Sequence, residues 1–123
     1  MSMDDDDALR EVEKIAFTIP DGFQFTQGVM YAEFVGQPAW AARFDASKEL
    51  DGPAVTAANP AHPPLQPATC GTVTTTSWTS LGFSCEAEML STSRPAQGSG
   101  DPVSVVFTRG ARGSSLFIYC AGH

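Results

Sequence analysis

The sequence predicts an α+β fold in which about six antiparallel strands form a sheet and one short helix lies near the N-terminus. Three observations support this prediction. Short segments have apolar residues at every second position, turn sequences rich in glycine and proline separate them, and helical spacing of apolar residues is found near the N-terminus. An all-β barrel or sandwich is the alternative, because both are also built from short alternating strands.

The length and composition indicate one globular domain. The chain has 123 residues, of which 42% are hydrophobic and 17% charged, with eight Phe and two Trp. This profile is unlike that of a disordered chain. We expect residues 1–7 to form a disordered acidic tail, because four consecutive aspartates repel one another, and residues 8–123 to form a single α+β domain.

A short helix is predicted over residues 8–15. Leu9, Val12 and Ala16 recur at the spacing of one helical face, and Asp7 is suited to the N-cap position.

Strands are predicted along most of the rest of the chain. The turn at residues 20–22 separates extended segments, and a second turn is expected at Gln27-Gly28. A hairpin follows, with strands over residues 29–35 and 39–45. Further strands are expected over residues 72–78, 83–90, 103–108 and 115–121; the last two are joined by a glycine-containing turn, and residues 93–102 are expected to be a mobile link.

A proline-rich loop is predicted over residues 47–69, which contain five prolines. Each proline lacks a backbone donor and pushes the preceding residue away from helical geometry, so we expect at most one helical turn over residues 47–51. Loops of this length in compact domains tend to be functional or flexible.

The three cysteines allow one disulfide. Cys70, Cys85 and Cys120 lack the spacing of a zinc or redox motif, so one pair among them is expected to form a bridge in an oxidising compartment. The favoured pairs are Cys70–Cys85 and Cys85–Cys120. Three buried thiols are the alternative.

The charge distribution argues against nucleic acid as a partner. The net charge is −7, and the few lysines and arginines are scattered along the chain, whereas a phosphate backbone requires clustered bases. The sequence has no run of 18 apolar residues, so no membrane span is predicted. The acidic N-terminus is unlike a signal peptide, so the protein is either cytosolic or the mature part of an exported one; the cysteines slightly favour an extracytoplasmic location.

No established catalytic, cofactor or metal motif is found in the sequence, which favours a role other than catalysis. His62, within the proline-rich loop, is expected to be solvent-exposed, and His123 is the last residue. No cofactor is predicted.

Charged side chains near one predicted strand suggest a ligand-binding face. Glu86 and Glu88 are two residues apart and should share one strand face, where paired carboxylates could form a site. A solvated sheet surface is the alternative. Arg43 and Arg109 are candidate partners, and Trp78, expected near a strand end, is a candidate for core packing or for the rim of a site.

The order of these features resembles the mature parts of small actinobacterial exported proteins and lipoproteins of unknown function. The features are the Pro20-Asp21-Gly22 turn, the hairpin that ends at residues 43–47, the middle rich in proline and alanine, and then Trp78, Cys85 and a final strand. The alanine-rich composition, with two lysines, suits a genome of high GC content. The resemblance implies an exported protein and brings no catalytic residues.

Three functions are compatible with these sequence features. The first is a non-enzymatic domain of an exported or envelope-associated protein that binds a protein or a small ligand. The second is a small cytosolic enzyme or ligand-binding protein, which would need a concave pocket near Glu86 and Glu88. The third is an immunity-type or oligomerisation partner, which would need an exposed apolar patch.

Overall fold

The computed structural model describes residues 2–31, 39–71, 76–95 and 102–121, and within them it has an α+β fold. Six strands in this part of the chain form one open antiparallel sheet, so the predicted fold class is confirmed and the barrel or sandwich alternative is wrong. In chain order the elements are α1 (Asp5–Lys14), β1 (Gln24–Met30), β2 (Trp40–Ala46), α2 (Gly52–Ala58), β3 (Gln66–Pro67), a 3₁₀ helix (Thr76–Leu81), β4 (Glu88–Arg94), β5 (Val103–Gly110) and β6 (Gly113–Cys120).

The strand order is β1-β2-β6-β5-β4-β3, which places the C-terminal hairpin in the middle of the sheet. β5 and β6 are joined by a tight turn in which Gly110 pairs with Gly113, and the predicted hairpin is confirmed. β1 and β2 also pair antiparallel, but β1 ends at Met30, so among the described residues only Val29 and Met30 of the strand predicted over residues 29–35 belong to it. Residues 32–38, which hold the predicted turn of that hairpin, lie outside the described residues.

The aspartate run begins a helix, so the predicted disordered tail is wrong for residues 2–7. Asp4 is the N-cap: its carboxylate accepts a hydrogen bond from the Asp7 backbone at 2.8 Å, and the Asp7 carboxylate accepts one from the Asp4 backbone at 3.2 Å. These bonds satisfy free N–H groups at the helix start, and the carboxylates lie at the positive end of the helix dipole. Both effects oppose the mutual repulsion of the aspartates.

The buried face of α1 includes Val12, as predicted, but not Leu9 or Ala16. Ala8, Val12 and Ile15 pack into the core, whereas Leu9 is 46% exposed. Ala16, the last residue of the predicted stripe, has a φ of 56° and lies beyond the helix.

The turn predicted at Gln27-Gly28 is wrong, because both residues are paired within β1. β1 continues through these residues, and its register with β2 shifts between Phe25 and Gln27. Bulges insert one residue without ending a strand, and the glycine that suggested a turn is accommodated within the strand.

The proline-rich region is more ordered than predicted. α2 lies within it because Pro53 occupies the first turn, where a missing N–H costs nothing, and because the Asp51 carboxylate caps the helix through the Ala54 backbone at 3.1 Å. The helical turn expected over residues 47–51 is absent, and a hydrogen-bonded turn from Ser47 to Leu50 is found instead.

Two predicted strands are displaced. Of the strand predicted over residues 72–78, residues 76–78 belong instead to the 3₁₀ helix, and residues 72–75 lie outside the described part of the chain. β4 begins at Glu88, so residues 83–87 are not in a strand, while Ser93 and Arg94 of the predicted link belong to β4. Residues 96–101 of that link also lie outside the described residues.

Apolar clusters lie on both faces of the sheet. One face, called here the helix face, packs against α1 and α2 through the larger cluster, which includes Trp40, Phe44 and Phe107. The other, called the Trp78 face, holds a smaller cluster in which Trp78 and Leu81 cover strand residues Ala41, Val106 and Phe117.

Candidate functional site

The sheet separates the side chains that the sequence placed on one ligand face. Glu88 and Arg109 are cross-strand partners on the helix face, whereas Arg43 lies on the Trp78 face, between Ala42 and Phe44 of the helix-face core. Glu86 precedes β4 and packs against Gly110. The prediction that Glu86 and Glu88 share a strand face is therefore wrong, because only Glu88 is in the strand.

A cleft of about 670 Å³ lies between α2 and β4 and is called here the α2 cleft. The backbone N–H of Leu65 donates to the Thr56 hydroxyl at 3.3 Å, which attaches the segment before β3 to α2 at this cleft. The volume is within the range of small-molecule sites. The apolar lining of the α2 cleft consists of Pro53, Ala57, Pro64, Leu65 and Leu90.

The cleft depends on a close approach between α2 and β4. A Cβ atom on Gly52, the first residue of α2, would overlap the Leu90 side chain. Glycine at this position lets the start of the helix rest on β4 while Pro53 and Ala57 stay at the surface.

An ion pair lies at the polar end of the α2 cleft. Arg109 donates from Nη2 to Glu88 Oε1 at 2.9 Å and from Nη1 to the Lys48 carbonyl at 3.4 Å, and both side chains of the pair are about one third exposed. Arginine has five N–H donors and a carboxylate several acceptor positions, so the pair keeps hydrogen-bonding capacity for a ligand. A neighbouring cleft of about 680 Å³, lined in part by Lys48 and Glu49, shares this pair.

Comparisons with protein-family models, with curated proteins and with solved structures find no match for this chain. In the described residues no helix is long and apolar enough to cross a membrane. No group of three or more His, Cys, Asp or Glu side chains in the same part of the chain is placed to hold a metal ion.

On the Trp78 face, Arg43 is held by several contacts at once. Its Nε donates to Asp45 at 3.0 Å, its Nη1 donates to the Leu81 carbonyl at 2.8 Å, and its guanidinium lies 5.3 Å from the centre of the Phe117 ring. The Leu81 contact attaches the 3₁₀ helix to β2. Arg43 therefore supports the cover of this face.

Asp45 is the hydrogen-bond acceptor at the centre of this network. Burial acts to raise the pKa of its carboxyl group, but hydrogen bonds from Ser115, Thr26 and Arg43 outweigh that effect and leave the pKa below its ordinary value. Asp45 is consequently ionised at neutral pH and forms a fixed pair with Arg43.

Trp78 is packed inside the smaller cluster and is only 3% exposed. Its ring contacts those of Phe83 and Phe117, and its Nε1 has no hydrogen-bond partner among the described residues. Of the two roles considered from the sequence, core packing is the one that this position fulfils.

Cys70 and Cys85 lie at disulfide distance, with Cα atoms 5.7 Å apart. Both are at the surface, and the segment between them carries the 3₁₀ helix. Cys120 is buried in the helix-face core. Of the two pairs favoured from the sequence, this geometry selects Cys70–Cys85.

The prediction that His62 is exposed is wrong, because its side chain is buried against the C-terminal end of α1. Its Nε2 lies 3.2 Å from the Ile15 carbonyl and 3.1 Å from the Ala16 carbonyl, and Arg94 also donates to Ile15 at 3.2 Å. The ring is packed edge-on against Phe17. Burial, with the Arg94 charge, lowers the pKa of His62.

The sequence carries no local signal for this arrangement, since its partners are more than 30 residues away along the chain. The exposed apolar patch needed by the immunity or oligomerisation hypothesis is also not evident: among the described residues, the large apolar side chains that are exposed are Leu9 and Tyr31.

Proposed function

We propose that this protein is a non-enzymatic binding domain whose ligand occupies the α2 cleft. The observation that carries the proposal is a concave apolar cleft of about 670 Å³ with an ion pair at its edge. Apolar clefts with a few convergent polar groups are the usual form of a small-molecule site. The ligand would be an apolar group that carries a neutral polar head, such as an amide.

The head group is inferred from the charges of Glu88 and Arg109. Because the two neutralise each other, a charged head would be attracted by one and repelled by the other. An amide has an acceptor for the guanidinium and a donor for the carboxylate, so it can bond to both without breaking the pair. The apolar part of the ligand would lie along Pro53, Ala57 and Leu90.

We further propose that the domain acts outside the cytoplasm. The Cys70–Cys85 bridge lies at the surface, where a reducing cytosol would reach it, and such bridges persist in oxidising compartments. The resemblance to small exported actinobacterial proteins supports the same location. Intact mass after alkylation of the denatured, unreduced protein tests this: one alkylated thiol is expected, and three in protein made in an oxidising compartment would contradict it.

The binding proposal is tested with three probes that share one apolar body. 4-Methylpentanamide, 4-methylpentanoate and 3-methylbutylammonium carry the same 3-methylbutyl group, differ in head-group charge and are titrated into the ¹⁵N-labelled protein. The amide should give saturable shifts in α2 and β4 and bind about tenfold more tightly than either charged probe, the difference of about one charged hydrogen bond. Shifts scattered over other elements, or none, would contradict the proposal.

Variants of the pair sharpen this test. Glu88→Gln leaves the arginine charge unbalanced, so selectivity should move toward the carboxylate probe, and Arg109→Gln should move it toward the ammonium probe. Ala57→Phe should fill the cleft and abolish binding of all three. Ala61→Phe, at an exposed alanine outside the cleft, is the matched control and should bind as the wild type does. Unchanged selectivity in both pair variants would contradict the role assigned to the pair.

A further inference from the structure

A smaller cavity of about 310 Å³ lies on the Trp78 face, between β2, the β5–β6 turn and the segment before β4. It is called here the polar cavity. Hydroxyl and charged groups dominate its lining, in contrast to the α2 cleft on the other side of the sheet. These groups belong to Arg43, Asp45, Glu86, Thr108, Arg112 and Ser115.

Glycines place two of these charged side chains. Glu86 lies over Gly110, where a Cβ atom would overlap its carboxylate, and Arg43 lies against Gly82, where a Cβ atom would be 2.8 Å from Nη1. Gly82 also has a φ of 76°, which favours glycine. The backbone therefore leaves room for both charged groups at defined positions.

The four charges of the cavity fall into two classes. Arg43 and Asp45 already pair with each other and with neighbouring groups. Glu86 and Arg112 form no ion pair among the described residues. In the same part of the chain, the Glu86 carboxylate accepts one side-chain hydrogen bond, from the Ser84 hydroxyl at 3.5 Å. One carboxylate and one guanidinium thus remain for a ligand.

We propose that the polar cavity binds a free α-amino acid. The ligand ammonium would pair with Glu86, its carboxylate with Arg112, and a polar side chain with the hydroxyls of Thr108 and Ser115. A ligand with a single charge would satisfy only one of the two unpaired groups, whereas a zwitterion satisfies both. This site does not depend on the α2 cleft, which lies on the opposite face.

The test is a titration of the ¹⁵N-labelled protein with L-serine and two derivatives that each lack one charge. N-acetyl-L-serine has no ammonium group, and L-serinamide has no carboxylate. Saturable shifts of the Thr108, Gly110, Gly113 and Ser115 amides are expected with L-serine at millimolar concentration. Binding of both derivatives as tightly as L-serine, or no saturable shift with L-serine, would overturn the proposal.

Two exposed substitutions assign the charges. Glu86→Gln and Arg112→Gln should each weaken L-serine binding by about tenfold to a hundredfold, the effect of losing one charge-assisted bond. In Glu86→Gln the discrimination against N-acetyl-L-serine should also disappear. Glu13→Gln and Arg10→Gln, at exposed positions of α1 outside both proposed sites, are the matched controls and should bind L-serine as the wild type does. Wild-type affinity in Glu86→Gln and Arg112→Gln would overturn the assignment.

Discussion

The two faces of the sheet use alternate residues of the same strands, but they are covered in different ways. On the helix face, a large cluster of aromatic and aliphatic side chains packs against α1 and α2. On the Trp78 face, one short 3₁₀ helix contributes two residues to a cluster of five and covers the other three, and Arg43 and the Cys70–Cys85 bridge hold the helix in place. The comparison indicates that apolar burial stabilises the first face and that cross-links complete the second.

The same contrast extends to the two cavities. The α2 cleft has apolar walls and a neutralised ion pair, whereas the polar cavity holds hydroxyls and two charged groups, those of Glu86 and Arg112, that form no ion pair among the described residues. A sheet with both faces covered can therefore present two ligand sites of different chemistry.

The largest expected difference between the faces concerns two central phenylalanines. Phe107 lies in the helix-face core and Phe117 in the smaller cluster, and both are almost fully buried. Phe→Ala substitutions in cores cost about 3–5 kcal/mol. We expect Phe107→Ala near the upper end of this range and Phe117→Ala near the lower end, because the 3₁₀ helix is a small cover that can settle into the space left.

Urea denaturation of the two variants measures this difference. Leu9→Ala, at an exposed position of α1, is the control and should change the free energy of unfolding by less than about 0.5 kcal/mol. Equal losses in Phe107→Ala and Phe117→Ala would show that the two faces are equally rigid.

A smaller effect is expected when the bridge is removed. Cys70 and Cys85 are 15 residues apart, and closing a loop of this length contributes about 3 kcal/mol. The Cys70→Ala/Cys85→Ala protein should lose about this much stability, and the amides of residues 76–83 should exchange with solvent faster, relative to wild type, than those of α1. Addition of a reductant should have no further effect on this variant. If the amides of α1 accelerated as much as those of residues 76–83, the bridge would not act on the Trp78 face in particular.

The smallest expected effect is a pH dependence that arises at the edge of the helix face. The pKa of His62 is lower in the folded protein than its ordinary value of 6.5, so the unfolded chain binds a proton more readily. The contribution of His62 to stability is complete above about pH 6.5 and is lost as the pH falls through the lower folded pKa. Asp45, on the Trp78 face, has a lowered pKa too, but its contribution is lost only at acid pH, below its ordinary value of 3.8.

Urea midpoints between about pH 7.5 and pH 5.5 isolate the histidine effect. Stability of the wild type should decrease across this range, and His62→Gln should flatten the curve, since a glutamine amide can still donate to a carbonyl but does not titrate. His123→Gln is the matched control and should retain the wild-type slope. A wild-type slope in His62→Gln would show that another group titrates.

Strand alternation made the centre of the fold predictable. Residues of β2 and of the β5–β6 hairpin alternate between the two faces, and both elements were placed correctly from this pattern. Turn chemistry alone was less reliable. Gly28 lies in a paired strand rather than a turn, and Pro53 lies in the first turn of a helix rather than preventing one, because neighbouring caps and strand pairing decide what these residues do.

The sequence identified residues that line cavities, but it did not predict on which face of the sheet each residue lies. Glu86, Glu88, Arg43 and Arg109 do lie at cavities, yet on opposite faces, because the start of β4 was placed five residues too early and a strand boundary decides which face a side chain meets. His62 was missed because its role depends on contacts with distant parts of the chain.

We propose that the two faces of the sheet carry separate sites of different chemistry. One two-ligand titration of the ¹⁵N-labelled protein tests it most directly, with 4-methylpentanamide and L-serine added in either order. The amide should shift resonances of α2 and β4, and L-serine should shift those around the β5–β6 turn. Saturation with one probe should leave the dissociation constant of the other unchanged. Competition between the probes, or one common set of shifted resonances, would contradict it.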